Sequence, residues 1–152
     1  MSMRILSNQI KSKLEGIGDI QSVYDFPWLD FDGFPAATIT PSSVESDYET
    51  QSENLRTYVF SVRLFLSLNI VNKTSHKEKV EDGFRIVEEL VDAVVDEFDK
   101  DETFSGIQAS LPTGKTMISL IPIPTVIDYF IEEKMVVAEV RIQAKVSFDT
   151  QS

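Results

Sequence analysis

From Thr57 to Ile70 the chain alternates without a break. Tyr58, Phe60, Val62, Leu64, Leu66, Leu68 and Ile70 fall on one side, and Thr57, Val59, Ser61, Arg63, Phe65, Ser67 and Asn69 on the other. Period two sends successive side chains to opposite faces of an extended chain, so this segment reads as a strand with one dry face. At about 3.3 Å per residue, Arg56 to Ile70 would reach roughly 50 Å. An ordinary strand has only about 5–6 residues. A strand this long either bends or runs past its own core toward a neighbouring subunit. That points to an assembly protein rather than an enzyme.

The rest of the chain supplies the layers around that strand. Leu6, Ile10, Leu14 and Ile17 recur at helical spacing, which predicts a helix over Met3 to Glu15, stopped by Gly16 and Gly18. A first strand is expected over Ile20 to Phe26, and a second over Ala36 to Thr40, ending at Pro41. Between them, PWLDFDGFP (Pro27 to Pro35) is a loop holding Trp28, Phe31 and Phe34. The polar, acidic stretch Ser42 to Glu53 reads as a flexible arm or hairpin tip, spanning about 42–55 with its hinge. After a turn, Val80, Phe84, Val87, Val91, Val94 and Phe98 mark a long helix over Lys77 to Phe98, widened by Ile86, Leu90 and Val95. Ser75 and Glu78 fit a capping box. Gly83, costly in a helix, is expected to mark close packing on the sheet. Pro112, Pro122 and Pro124 break the region Ile107 to Ile131, so an edge strand or bent connection is expected there. Val136 to Phe148 is a second two-faced strand. The order predicts one α+β domain over residues 1–152. Its antiparallel or mixed sheet is packed by one long helix and a shorter N-terminal one.

Charge narrows the partners. The net charge is -11, and residues 77–102 alone hold 11 acids against 4 bases. An acidic surface repels a phosphate backbone, so conventional nucleic-acid binding is disfavoured. It suits a surface past which DNA slides without sticking, although a solvated helix face is the more ordinary reading of such a charge run. No apolar stretch approaches the length of a membrane span, and the N-terminus lacks the unbroken apolar run of a signal peptide. Without cysteine there are no disulfides, thiolate metal sites or cysteine nucleophiles, and one histidine rules out a histidine-rich metal site within the chain.

Candidate chemistry fails on spacing. Asp30 and Asp32, followed by Gly33, suggest an acidic metal loop, but Phe34 and Pro35 stand where further oxygen ligands would be needed. Glu89, Asp92 and Asp96 share a helix face opposite the apolar stripe, without the acids from other elements that a two-metal centre requires. LPTGKT (Leu111 to Thr116) has Ala109 where a P-loop has its first glycine, and strand-like sequence follows it. His76 sits just before a helix, more as a surface residue than a base. No catalytic residue, metal ligand or cofactor is expected.

The helix ending in GIGDIQSVYDF (Gly16 to Phe26), followed by GFPAATITPSSVESDYETQSENLRTYVFSVRLFL (Gly33 to Leu66), resembles the tail terminator and related neck or tail-completion proteins of long-tailed bacteriophages. The likeness rests on a strand ending in proline, a polar acidic stretch, and then Asn54, Arg56, Tyr58 and Phe60 in an Asn-x-Arg-x-Tyr-x-Phe strand. The long helix and the last strands fit in outline. The resemblance implies a non-enzymatic virion protein of the tail or neck, made in the host cytoplasm. Such a protein forms a homohexameric ring that caps the tail tube protein, meets the head connector or stopper, and lets DNA pass its lumen without specific binding. The interface candidates are Trp28, Phe31 and Phe34 in the loop, for which core filling competes, and Tyr48, Asn54 and Arg56 in the arm and at its hinge. Other readings remain: another neck or head-completion subunit, a cellular α+β module that dimerises through its sheet edge, or a small carboxylate-dependent metal hydrolase.

Overall fold

The computed structural model describes residues 2–28, 30–48, 53–100 and 115–149. The elements are α1 (Ser2–Glu15), β1 (Ser22–Tyr24), β2 (Ala36–Tyr48), β3 (Glu53–Ser67), a 3-10 turn (Leu68–Ile70), α2 (His76–Asp99), β4 (Lys115–Phe130) and β5 (Met135–Asp149). The strands form one mixed sheet in the order β1-β2-β3-β5-β4. Only β1 and β2 run parallel; the other neighbours are antiparallel. The expected α+β fold is therefore the observed one.

The two alternating segments become the two central strands. Tyr58 through Leu66 on β3 and Val136 through Val146 on β5 send their even-numbered residues to one face, where all are buried. The buried residues of α1 and α2 pack there in a single core. Helix α2 starts as expected: Ser75 Oγ accepts from the Glu78 backbone N–H at 3.1 Å. Gly83 marks the close approach. A Cβ built on it would lie 2.7 Å from Leu68 Cδ2 and 3.3 Å from Val136 Cγ2. Four residues of the expected apolar stripe, Val87 through Phe98, are buried, with Val80 and Phe84 half-buried. Ile86 does not widen it: the side chain is 38% exposed on the solvent side of α2.

Several boundaries differ from the sequence pattern. The first strand shrinks to Ser22–Tyr24, because it pairs only with Ala36–Thr38 before the chain turns away. Strand β2 does not end at Pro41 but continues to Tyr48. Among the described residues no strand flanks β2 on that side beyond Thr38, so a proline is tolerated at this edge, and the register shift between Pro41 and Ser43 absorbs its geometry. The polar stretch expected as a flexible arm or hairpin tip is the end of the antiparallel β2–β3 pair, strand as far as Tyr48 and again from Glu53, with Tyr48 opposite Asn54. Residues 49–52 lie outside the described residues. A strand ladder is built from backbone bonds, so polar side chains at an edge do not prevent it. Strand β3 gives way to the 3-10 turn after Ser67, which leaves Ile70 exposed rather than in the dry face. From Lys115 to Phe130 the proline-broken region forms an edge strand, β4, with two register shifts, at Met117/Ser119 and Pro124/Val126, and its first part, with Pro112, lies outside the described residues.

Candidate functional site: the bare face of the sheet

Both helices pack on one face of the sheet, so the other face has to be finished differently. Its residues follow from the register. Strand β3 contributes Ser61, Arg63 and Phe65, and β5 contributes Val137, Glu139 and Arg141. After its second register shift β4 adds Val126, Asp128 and Phe130, which lie opposite Glu139, Val137 and Met135.

One end of this face is closed by the aromatic loop. Parallel neighbours need a long return connection. The described residues between β1 and β2, 25–28 and 30–35, make that return across the bare face. The Phe31 ring packs on Phe65 with centroids 4.7 Å apart, and Phe34 sits edge-on to Phe31 at 5.6 Å. Tyr24 links Phe31 to Phe26, and Phe26 meets Trp28 at 5.8 Å. Two further hydrogen bonds pin the loop: Trp28 Nε1 donates to the Asp30 carbonyl at 2.7 Å, and Asp32 N–H donates to the Tyr24 hydroxyl at 3.0 Å. The three loop aromatics therefore separate. Phe31 and Phe34 anchor the loop, while Trp28 remains 45% exposed.

The centre of the face is organised by Glu139. Ser61 Oγ donates to Oε2 at 2.7 Å and Thr125 Oγ1 donates to Oε1 at 2.8 Å. Arg141 Nε lies 3.3 Å from Oε1 and Arg63 Nε 3.7 Å from Oε2. The Ser61 hydrogen bond, helped by Thr125 and the two guanidiniums and opposed by burial, holds the Glu139 carboxyl below the usual glutamate range. One carboxylate thus ties β3, β4 and β5 together and fixes two arginines on the surface. Both its oxygens are engaged by neighbours within the chain, so the carboxylate braces the three strands.

Beside Glu139 lies an open apolar groove of about 540 Å³, floored by Phe65 and Val137 and walled by Val126, Phe130 and Met135. Val126 is 55% exposed and Phe130 46%. Ile121 and Ile123 continue the exposed row along the same face of β4. A second depression, lined by Trp28, Thr38 and Thr40, shares Arg63 and Phe65 with the groove, so the two adjoin.

The remaining candidates lie elsewhere. Arg56 sits on the helix-covered face, opposite Ser46 and Val146, and is half-buried. Tyr48 and Asn54 face each other across the far end of the β2–β3 ladder, and their side chains lie outside the described residues. The structure brings none of these three to the aromatic loop. His76 opens α2, and its Nε2 lies 3.2 Å from the Tyr129 hydroxyl. Lys115 and Thr116 of LPTGKT begin β4, and the first four residues of that segment lie outside the described residues. Among the described residues no group of three acids or histidines could hold a metal ion. Among the described residues no helix is long and apolar enough to cross a membrane.

Sequence reasoning did not find the groove or Glu139. The groove residues Val126 and Phe130 follow a register shift that breaks the count from Ile121 and Ile123, so period two fails across the segment. Glu139 occupies an unremarkable polar position in an alternating strand. The sequence matches no protein-family model, and a search of curated proteins returns no match.

Proposed function

We propose that this chain is a structural subunit of the tail-terminator type from the neck of a long-tailed bacteriophage. Its copies associate into a ring, a homohexamer, that caps the tail tube and meets the head connector. The observation that carries this reading is the unfinished second face of a long sheet. Among the described residues, four strands of 13–16 residues are covered by helices on one side only, and Ile121, Ile123, Val126 and Phe130 stand exposed on the other. Contiguous exposed apolar surface on a single chain marks a contact made with another. Ring contacts are heterologous, so a subunit needs two different surfaces, and a two-layer domain with a helical side and a sheet side offers two. The acidic helix α2 fits a protein that must not hold passing DNA.

Absolute mass in solution, alone and with purified tail tubes, tests the reading. Six subunits of 17.2 kDa give roughly 103 kDa, and either that mass or a monomer that binds only tube ends agrees with it. A stable dimer indifferent to tubes would point instead to a cellular module paired through its sheet.

A further inference from the structure

Resting on the ring reading above, we propose the contact that joins its copies: the open edge of β2 in one copy pairs, strand to strand, with the open edge of β4 in the next. Beyond the short β1, these two are the outermost strands of the sheet. Part of each edge is closed. Strand β1 covers Ala36 to Thr38, and Pro41, Pro122 and Pro124 have no N–H to offer. Pro41 and Pro122 stand on one rung of the sheet, Pro41–Phe60–Ile142–Pro122. Past that rung, toward Tyr48 and Lys115, neither edge has a proline or, among the described residues, a neighbouring strand. Both edges are therefore open at the same end of the sheet and over the same height.

The two free stretches offer matching backbone groups. In an antiparallel ladder, successive residues turn their N–H and C=O alternately to one neighbour and the other. A proline fits where its nitrogen faces outward. Both prolines of the shared rung meet that condition when Phe60 and Ile142 bond to each other across the centre, and the alternation runs on from there. With the register shifts after Pro41 and Met117 counted in, Val44, Ser46 and Tyr48 turn their backbone groups outward from β2. Lys115, Met117 and Leu120 do the same from β4. These residues share rungs: Val44 with Leu120, Ser46 with Met117, and Tyr48 with Lys115. Strands β2 and β4 also run in opposite directions, so copies turned about an axis along the strands bring the two edges together antiparallel. The choice of occupant follows from what each pairing leaves behind. Pairing β2 with β2, or β4 with β4, leaves the other edge open to further chains, whereas β2 with β4 covers both by one head-to-tail contact that can close. Charge in the sequence favours the same choice. Residues 43–48 hold Glu45 and Asp47 without a base, and residues 115–121 hold Lys115 without an acid. Val44, 42% exposed at the β2 edge, gains a neighbouring strand in the contact.

The chain has no cysteine, so the contact can be tested by introduced disulfides. Hydrogen-bonded partners across an antiparallel pair lie about 5.5 Å apart at Cα, within the span of a disulfide. Ser46→Cys with Met117→Cys is oxidised and read on a denaturing gel, free in solution and on purified tail tubes, with mass from light scattering alongside. A ladder of bands up to six chains is expected, while each single variant stays at one chain. Ser46→Pro removes only an outward donor, so circular dichroism should be unchanged while the assembly falls to the 17.2 kDa monomer. Hydrogen exchange read by mass spectrometry should be slower over residues 43–48 and 115–121 in the wild-type assembly than in that monomer. Two-chain bands from Ser46→Cys alone would overturn the proposal in favour of β2 pairing with β2. A six-subunit mass, or binding to tube ends, with neither ladder nor slowed exchange would overturn the edge contact and leave the ring reading standing. A chain that stays monomeric and ignores tubes would overturn both.

Discussion

The two faces of the sheet are built from the same strands but finished by different means. On the helix side, every even-numbered residue of β5 from Val136 to Val146 is buried and apolar, and α2 comes so close that a Cβ at position 83 would crowd the Leu68 and Val136 side chains. On the other side, each strand alternates into a mixture: Phe65 under the loop, Arg63 and Arg141 on Glu139, and Val126 and Phe130 open to solvent. The first face is closed by bulk hydrophobic burial and leaves nothing for a partner. The second is closed piecemeal, by one aromatic loop and one polar hub, and stops short of the edge strand. Stability belongs mainly to the first face, and what the molecule can recognise belongs mainly to the second.

The sharpest way to break that division is to overfill the helix side. Gly83→Val places methyl groups where Leu68 and Val136 already sit, and both neighbours are themselves buried. Overpacking of this kind costs about 1–3 kcal/mol, and a β-branched residue recovers little helix propensity over glycine. A loss of about 3 kcal/mol in chemical denaturation is expected. Unchanged stability would mean that α2 does not press on the sheet as described.

Phe31→Ala comes next. It removes the ring that holds the loop on Phe65 and leaves Phe34 and Tyr24 without a common partner. Because Phe31 is only half-buried, the cost should be about 2 kcal/mol, below the range for a fully buried phenylalanine. Trp28→Ala, at the exposed end of the same ring series, should change stability by less than about 0.5 kcal/mol. If the two substitutions cost the same, the loop is held as one unit and the separation of anchor from exposed ring fails.

The contrast between the faces also explains what could be read in advance. The helix side is periodic, so Tyr58 through Leu66, Val136 through Val146 and most of the α2 stripe were legible, as was the packing role of Gly83. Even Ile86 follows the rule once its angle on the helix is considered: it lies toward the acidic side. The bare face has no period to read. Its groove combines residues from β3, β4 and β5, and two register shifts in β4 change which side chains share a face. The extension of β2 past Pro41 was hidden for a related reason. A proline is disqualifying only where its N–H is needed, and that depends on β1 ending at Tyr24, opposite Thr38, a fact of tertiary structure. Trp28, Phe31 and Phe34 were legible as a group but not in their separate duties, because only Phe65 beneath them distinguishes anchor from exposed ring.

Glu139 gives a smaller effect with a defined pH dependence. Its carboxyl is held low by Ser61 first and then by Thr125, Arg141 and Arg63, against the opposing effect of burial. A carboxylate whose folded value is depressed adds stability that is fully present above the ordinary glutamate range. That stability is lost as pH falls through the lower folded value. Glu139→Gln should therefore cost about 1–2 kcal/mol at neutral pH, and the gap from wild type should close only as pH falls below the ordinary glutamate range. A gap that persists unchanged in acid would show that shape, not charge, makes Glu139 the hub.

The smallest expected effect is the most informative about the bare face. Phe130 is 46% exposed at the rim of the groove, with no ring contact and no part in the buried core. Its replacement by serine removes apolar surface that the isolated chain leaves in water, so the folded state loses little relative to the unfolded one. Phe130→Ser should shift stability by no more than about 0.5 kcal/mol, and Val126→Ser should behave alike apart from its lower strand propensity. Association should respond instead. If the groove is where a second copy docks, both substitutions should weaken the oligomer while the unfolding curve of the monomer stays in place. A large loss of monomer stability would mean that the groove is part of the core, and the division between the two faces would have to be drawn nearer the edge strand.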